Sequence, residues 1–492
     1  MTLTSAQVDR AAGVLLTQAC GDALGVPYEF RTLPPVGEPA VMAGGGLGPY
    51  APGEYSDDTQ MAVCIAGTAA RSGADLTDDA SLDDVAQAFL DWQHDGASDI
   101  GTQTASVLSA ARSGSGRPAG RLRDAAAQYA QRHPRSAGNG ALMRTAVVAL
   151  PHLGDPAAIA AAARSVAELT HADPLAGDSC VLWCSGIDTA VREGSFDGVR
   201  HGLDQLPAAR RDAWAGWLDD AEQHPPQHFA HNGYTVTALQ AAWSAIVRSP
   251  VPEFDPAAGR FPCLHLQAAL QAAVRAGHDT DTVAAIAGGL LGARWGGSAV
   301  PFAWRRQVHG WPDKRARDLV GLAVLAARRG RPDGQGWPTG AHVGYATPPR
   351  PGVPHPHDPD VVLGTAATIG AHTDAVVSLC RMGRAHVPAP GAAAADHLEP
   401  WIIDSTDPAA NPNLHFAVDD AARAVAALRD EGRRVLLHCV WAESRTPTVA
   451  ARYAVLRGAT LAAAKGDILA AMPASSPKEA LWSALADLGD TS

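Results

Sequence analysis

Two short acidic segments lie far apart in the chain, SDDTQM at residues 56–61 and GHDTDT at residues 277–282. Neighbouring carboxylates such as Asp57 and Asp58, or Asp279 and Asp281, repel one another and resist burial, so a cluster of them facing inward requires a positive charge. Every candidate donor is an oxygen. That selects a hard divalent cation, Mg²⁺ or Mn²⁺, over zinc, and a pair of ions would let the two clusters share bridging carboxylates. Taken singly, each segment has a plainer use: SDDTQ as a solvated turn, and DTDT as a helix cap in which Asp281 and Thr282 hold the first turn. The Gly-rich flank of each favours the metal centre.

A third segment carries different chemistry. In RVLLHCVWAESRTPTVAARYAVLRG an apolar strand pattern enters a loop that holds Cys439 and Arg445 six positions apart, and a helical pattern follows. Loop amides and a helix N-terminus favour a phosphate dianion and acidify the thiol, while Arg445 offers a bidentate contact to phosphoryl oxygens. This is the layout a cysteine phosphatase needs. In GNGALMR, the Gly138, Asn139 and Gly140 run suits a backbone that must approach a diphosphate or ribose closely, with Asn139 as donor and acceptor. A tight turn before a helix is the alternative.

The elements that position these residues differ along the chain. At 492 residues, two domains are expected, and a composition 46% hydrophobic but only 5% aromatic, rich in Ala and Gly, points to closely packed helices. TSAQ is a capping-box pattern that opens an amphipathic helix over residues 4–25. Further helical patterns fall near 83–92, 105–112, 157–169, 179–191, 236–247, 264–276 and 282–294. Strand signals are nearly absent before residue 330. Pro and Gly density then rules out a continuous helix over residues 331–360, which reads as a linker between a domain at 1–330 and another at 361–492. In the latter, AVVSLC at 375–380 and RVLLHC at 434–439 are short β-rich runs among helical segments, the pattern of a small α/β domain with a parallel sheet. The fold class is mainly α.

The formal charge of −12 with scattered Arg residues leaves no footprint for duplex nucleic acid. No apolar run approaches the roughly 20 residues that span a bilayer, and the first residues lack signal-peptide character, so a cytoplasmic location and no membrane partner are expected. Seven cysteines at irregular spacings suggest thiols rather than a disulfide framework. Cys180 and Cys184, on one helix face, read as a buried pair.

GVLLTQACGDALGVPYEF at 13–30, SDDTQM, DIGTQT at 99–104, GNGALMR at 138–144, THADP at 170–174 and the GHDTDT run together resemble the ADP-ribosylglycohydrolases, relatives of dinitrogenase reductase-activating glycohydrolase. The resemblance covers about the first 330 residues with the motifs in the family's order. It implies an all-helical domain with two Mg²⁺ or Mn²⁺ ions that cleaves the ribose C1″ bond of an ADP-ribosylated protein or other ADP-ribose conjugate. It also implies one ligand set from Ser56, Asp57 and Asp58 and another from Asp279, Asp281 and Thr282. Ser56 stands where the family usually has Thr, and His278 where it usually has Gly. Glu29 matches a mobile glutamate that assists acid–base chemistry, Asp99 an acidic residue beside the scissile bond, and His171 a residue of the ADP-ribose pocket. The alternatives are a loop carboxylate for Glu29, an N-cap for Asp99 and a structural role for His171.

Residues 340–480 resemble the dual-specificity protein phosphatases. That resemblance implies Cys439 as nucleophile, Arg445 as phosphate ligand, Thr446 as the hydroxyl that helps the thiolate leave, Asp407 as general acid with Asp404 as the fallback, and a phosphorylated substrate. Ala442 replaces the usual Gly of the loop. The alternative for the whole chain is a non-catalytic ADP-ribose-binding regulator with a degenerate phosphatase module.

Overall fold

A computed structural model describes residues 2–345, 351–370 and 373–490. The elements that build the sites are α1 (Ser5–Gly25), α2 (Asp57–Ala69), α3 (Thr102–Arg112), α4 (Pro174–Glu193), α5 (Thr280–Trp295) and α6 (Ala316–Ala327) in the N-terminal part. The C-terminal part supplies β1 (Val353–His355), β2 (Asp358–Thr365), β3 (Ala375–Ser378), β4 (His397–Leu398), α7 (Leu414–Asp430), β5 (Val435–Cys439) and α8 (Arg445–Leu456). Among the described residues before 330, the only strands form a two-residue hairpin, His309–Gly310 with Lys314–Arg315. The helical reading of that part therefore holds.

The capping box at the start of α1 is present: Gln7 N donates to Thr4 Oγ1 (3.3 Å) and Thr4 N to Gln7 Oε1 (2.9 Å). Beyond its first turn α1 is buried almost all round, and its small residues let α5 approach backbone to backbone. A Cβ on Gly13 would stand 2.3 Å from Gly292 O, one on Gly21 2.2 Å from Ala284 O, and one on Gly25 2.3 Å from Asp281 Cα. From α5, a Cβ on Gly288 would meet Thr17 O at 2.4 Å. These pairs run in opposite directions along the two helices, so the pair is antiparallel. The C-terminal turn of α1, with Asp22, is thereby set against the N-terminal turn of α5, with Asp281.

The C-terminal part is a five-stranded sheet in the order β1-β2-β5-β3-β4, parallel except for the edge strand β1. Its central strand β5 is buried throughout and ends at Cys439. The sheet begins at Val353, inside the segment that Pro and Gly content suggests is a linker, because Pro354 sits on an edge strand where a missing N–H is tolerated. Trp337, in the same segment, is buried against Val8, Ala12 and Val324. The two parts are tied by ion pairs from Arg305 to Asp420 (2.7 Å), Arg306 to Asp396 (2.6 Å) and Arg317 to Glu399 (2.5 Å). The seven cysteines are buried, unpaired thiols, Cys180 and Cys184 among them. Among the described residues no helix is long and apolar enough to cross a membrane.

Candidate active site

Asp22 organises the first acidic segment. Its carboxylate accepts from Ser56 N (2.8 Å), Thr59 N (3.0 Å) and Thr59 Oγ1 (2.6 Å), which fixes the start of α2 against α1. Asp58, one residue into α2, accepts from Ser56 Oγ (2.9 Å). Two triads of carboxylates result, Asp22–Asp58–Asp281 and Glu29–Asp279–Asp281, each with one oxygen per residue within 4.8 Å of the others, and Asp281 belongs to both. Thr282 hydrogen-bonds toward Asp58 and Asp279. Asp57 is in neither triad but faces the same centre, its carboxyl pushed well up by burial and by Asp99, Asp22 and Glu29.

Ser56 and Asp279 stand at the N-cap positions of α2 and α5, yet neither side chain makes a capping hydrogen bond. Asp279 instead accepts from Asn139 Nδ2 (2.8 Å). The helix-capping alternative accounts only for Asp281, whose Oδ1 accepts from Thr282 N (2.9 Å).

Among the described residues no Lys, Arg or His forms an ion pair with these carboxylates. Asp58 Oδ1 and Glu29 Oε2 are buried without any partner. Burial and mutual repulsion hold the Asp58 and Asp281 carboxyls well above their ordinary range. Burial, then Asp279, Asp99 and Asp22, pushes Glu29 up to about 8, and burial lifts Asp22 to about 6. A set of oxygens this crowded, with orphaned acceptors among them, fits hard divalent cations.

Next to Asn139, the Gly138 and Gly140 backbone packs against His171. Arg144 Nη2 donates to Thr170 Oγ1 (2.7 Å), and the Thr170 hydroxyl hydrogen-bonds His171 Nδ1 (2.8 Å), so one chain of contacts fixes the ring. Burial, then Arg144, lowers His171 to about 3, so the ring is neutral. A Cβ on Gly140 would lie 3.0 Å from His171 Cε1, and one on Gly138 3.3 Å from Nε2. Neither glycine has positive φ, so close approach to the ring is what both positions require. Asn139 also donates to Asn232 O (2.9 Å), and Asn232 Oδ1 accepts from Asp279 N (3.0 Å). Asp99 is half-buried and does not cap α3, whose N-cap is Gly101; burial, then Asp279, raises its carboxyl.

The second site lies where β5 ends. Cys439 is buried, and Arg445 opens α8 with Nη1 donating to Leu379 O (2.5 Å) and Ile402 O (3.3 Å). Ala442 adopts φ +57°, the left-handed backbone a glycine would supply, so the loop keeps its course despite the substitution. Asp407 is exposed and caps the turn at Pro408–Ala410 through Ala409 N (3.0 Å). The carboxylate beside Arg445 is Asp404, 3.9 Å from Arg445 Nε and 3.5 Å from Lys478 Nζ. Asp404 is thus the carboxylate next to Arg445, whereas Asp407 is drawn into a local Asp-Pro turn. The Thr446 hydroxyl is buried without a partner. Behind the loop, His397 Nδ1 accepts from Ala389 N (3.0 Å), so its Nε2–H donates to Ser378 Oγ (2.8 Å), which donates to His438 Nε2 (2.6 Å).

The sequence profile of the ADP-ribosylglycohydrolase family matches residues 3–334. The chain belongs to that family. An ADP-ribosylarginine hydrolase, Tri1 of Pseudomonas putida strain GB-1, is 30% identical over 313 residues, covering 62% of this chain and 76% of the relative. The ADP-ribosyl-dinitrogen reductase glycohydrolase of Rhodospirillum rubrum is 26% identical over 323 residues, covering 65% and 97%. Over the C-terminal part, the structure of human DUSP28 aligns at 24% identity with a TM-score of 0.25, covering 29% of this chain and 95% of its own.

Asp22, Asn232 and Arg144 of the glycohydrolase centre escape sequence reasoning. Asp22 and Arg144 lie inside the motifs GDALG and GNGALMR, but each acts on a segment dozens of residues away. The available signal for Asp22 was a single charged side chain in the otherwise uncharged run from Val14 to Leu24.

Proposed function

We propose that the N-terminal part hydrolyses the bond between ribose C1″ and an arginine side chain of an ADP-ribosylated protein, with two Mg²⁺ or Mn²⁺ ions held by Asp22, Asp58, Asp279, Asp281 and Glu29. The observation that carries this reading is Asp281 shared between two buried carboxylate triads that lack a cationic side chain. The relatives named for ADP-ribosylarginine and for modified dinitrogen reductase support the substrate class. When bound, the ions would supply the charge that keeps these carboxylates ionised, and Lewis acidity toward water and ribose hydroxyls.

The protein's own groups have separable tasks. Neutral His171, with the Gly138–Gly140 backbone against it, shapes the wall that receives the ADP-ribose. Asn139 and Asn232 orient Asp279. Glu29, enclosed among Asp279 and Asp281, takes the proton of the attacking water, while Asp99, half-buried at the same centre, faces the departing guanidine. Carboxylates on both sides stabilise oxocarbenium-like charge at C1″. Release of ADP-ribose from arginine-modified protein in Mg²⁺ tests the proposal; activity that survives Asp281→Ala or EDTA would sink it.

The Cys439–Arg445 loop favours a second activity, cysteine-dependent phosphomonoester hydrolysis. The Cys439 thiolate would attack phosphorus, forming an S–P bond as the P–O bond breaks, with Asp404 protonating the leaving oxygen and water then cleaving the thiophosphate. Phenyl phosphate turnover should vanish in Cys439→Ser, fall by about 10²-fold or more in Asp404→Asn, and persist in Asp407→Asn. Turnover that survives Cys439→Ser overturns this assignment.

A further inference from the structure

A cavity of about 200 Å³ lies at the seam between the two parts. Helix α6 contributes Val320 and Arg317, the following segment Trp337, and the sheet part Arg381, Trp401, Asp404 and Arg445. Its walls are thus apolar and aromatic, with guanidinium groups set into them.

The charges are unevenly neutralised. Arg305 and Arg317, also in the wall, pair with Asp420 (2.7 Å) and Glu399 (2.5 Å). Arg381 stacks over Trp337 (4.8 Å) and Trp401 (4.3 Å) and reaches Asp333 only at 3.4 Å. Arg445 is nine-tenths buried, has no carboxylate closer than Asp404 at 3.9 Å, and its Nε has no hydrogen-bond acceptor. The indole N–H groups of Trp337 and Trp401 are likewise buried without partners. Buried donors without acceptors therefore collect around one cavity, with one unpartnered acceptor, Asp404 Oδ1, among them, and the guanidinium whose nearest carboxylate is most distant is that of Arg445 in the phosphate loop.

We infer that this seam cavity binds the body of a small phosphomonoester, a compact ring of sugar or aryl size whose phosphate is held by Arg445. The inference rests on the reading of the Cys439–Arg445 loop as phosphate-binding and names the substrate class of that loop. Apolar and aromatic faces suit a ring, and a guanidinium suits its phosphate. One wall belongs to the glycohydrolase part, so a phosphate carried on a folded protein would have to bring its backbone into the seam, whereas a free small molecule would not. The second site would thus act on small phosphorylated metabolites rather than on phosphoproteins.

The test uses the full chain carrying Cys439→Ser, so that ligands bind without turnover, and titrates inorganic phosphate, phenyl phosphate and ribose 5-phosphate by calorimetry. At least one ring-bearing monoester should bind about tenfold or more tightly than inorganic phosphate, about 1.4 kcal/mol, and the tighter of the two identifies aryl or sugar. Val320→Trp, which fills the cavity from α6, should abolish that preference while inorganic phosphate affinity and ADP-ribosyl hydrolysis stay unchanged. If Val320→Trp loses ADP-ribosyl hydrolysis and hence its fold, Val320→Met is held to the same criterion. Equal affinity for all three ligands, or a ring preference untouched by filling the cavity, overturns the seam site while leaving the phosphate loop standing. A ring preference in a chain that does not hydrolyse phenyl phosphate supports the seam site and removes the phosphatase reading.

Discussion

At the scale of single residues, the two sites differ in how much support each functional group receives. Asp279 is held from both sides, by Asn139 Nδ2 on its carboxylate and by Asn232 on its backbone N–H. Outer groups that orient a ligand are worth about 10–100-fold in metal affinity, so Asn139→Ala should weaken Mg²⁺ binding by that order while leaving the helical circular dichroism signal unchanged. Unaltered Mg²⁺ affinity would show that Asp279 needs no such support. Ala442 is a simpler case. A non-glycine residue at φ +57° carries backbone strain, and Ala442→Gly should stabilise the chain by about 1 kcal/mol in denaturant titration, part of the relief being offset by the entropy of an added glycine. The substitution was visible in the sequence. That the loop would keep a left-handed residue there was not, because the neighbouring strand and helix, not the residue, impose the conformation.

At the scale of elements, the pairing of α1 with α5 is what converts scattered aspartates into a centre. The sequence shows both helices and both acidic motifs, since helical periodicity and the capping box are local properties. It does not show that Gly13, Gly21 and Gly25 face Gly292, Ala284 and Asp281, because that depends on which two helices meet. Asp22 was missed for the same reason: its partners Ser56 and Thr59 belong to another helix. The early start of the sheet was hidden differently, by prolines that break a helix but are tolerated on an edge strand. Gly25→Ala tests the pairing directly. A Cβ 2.3 Å from the Asp281 backbone cannot be absorbed by a side-chain rotation, so the helices must part. The expected outcome is a loss of about 1–3 kcal/mol of stability together with loss of Mg²⁺ binding, although no ligand is altered; retention of metal affinity would show that the centre does not depend on this contact.

At the scale of the whole molecule, the proposed metal assignment makes the stability of the carboxylate centre a joint function of metal and pH. Without metal, Glu29 at about 8 and Asp22 at about 6 bind protons more tightly folded than unfolded. Groups with raised carboxyl pKa contribute stability that is present at low pH and lost as pH rises through the folded value. In EDTA, therefore, the chain should become more stable as pH falls from about 8.5 to about 6.5. On the proposed assignment Mg²⁺ would replace those protons as the neutralising charge, so its addition should flatten that slope and stabilise most at the alkaline end, by about 2.7 kcal/mol at 100 times its Kd. The opposite trend begins below the ordinary histidine range. His171 and His397 near 3 and His438 near 4, all lowered first by burial, stay neutral in the folded chain while the unfolded chain protonates, so their contribution is lost as pH falls. These rings lie in both parts of the molecule, and metal does not protect them, so acid destabilisation should appear in the Mg²⁺-loaded protein as well. Asp281→Asn separates the two effects: removing the shared charge should raise stability in EDTA at about pH 8.5 and erase the response to Mg²⁺, while the acid limb remains. Thermal unfolding across pH, with and without Mg²⁺, measures all of this, and a metal-free stability that does not change between about pH 6.5 and 8.5 would mean that the buried carboxylates are neutralised by something other than a divalent ion.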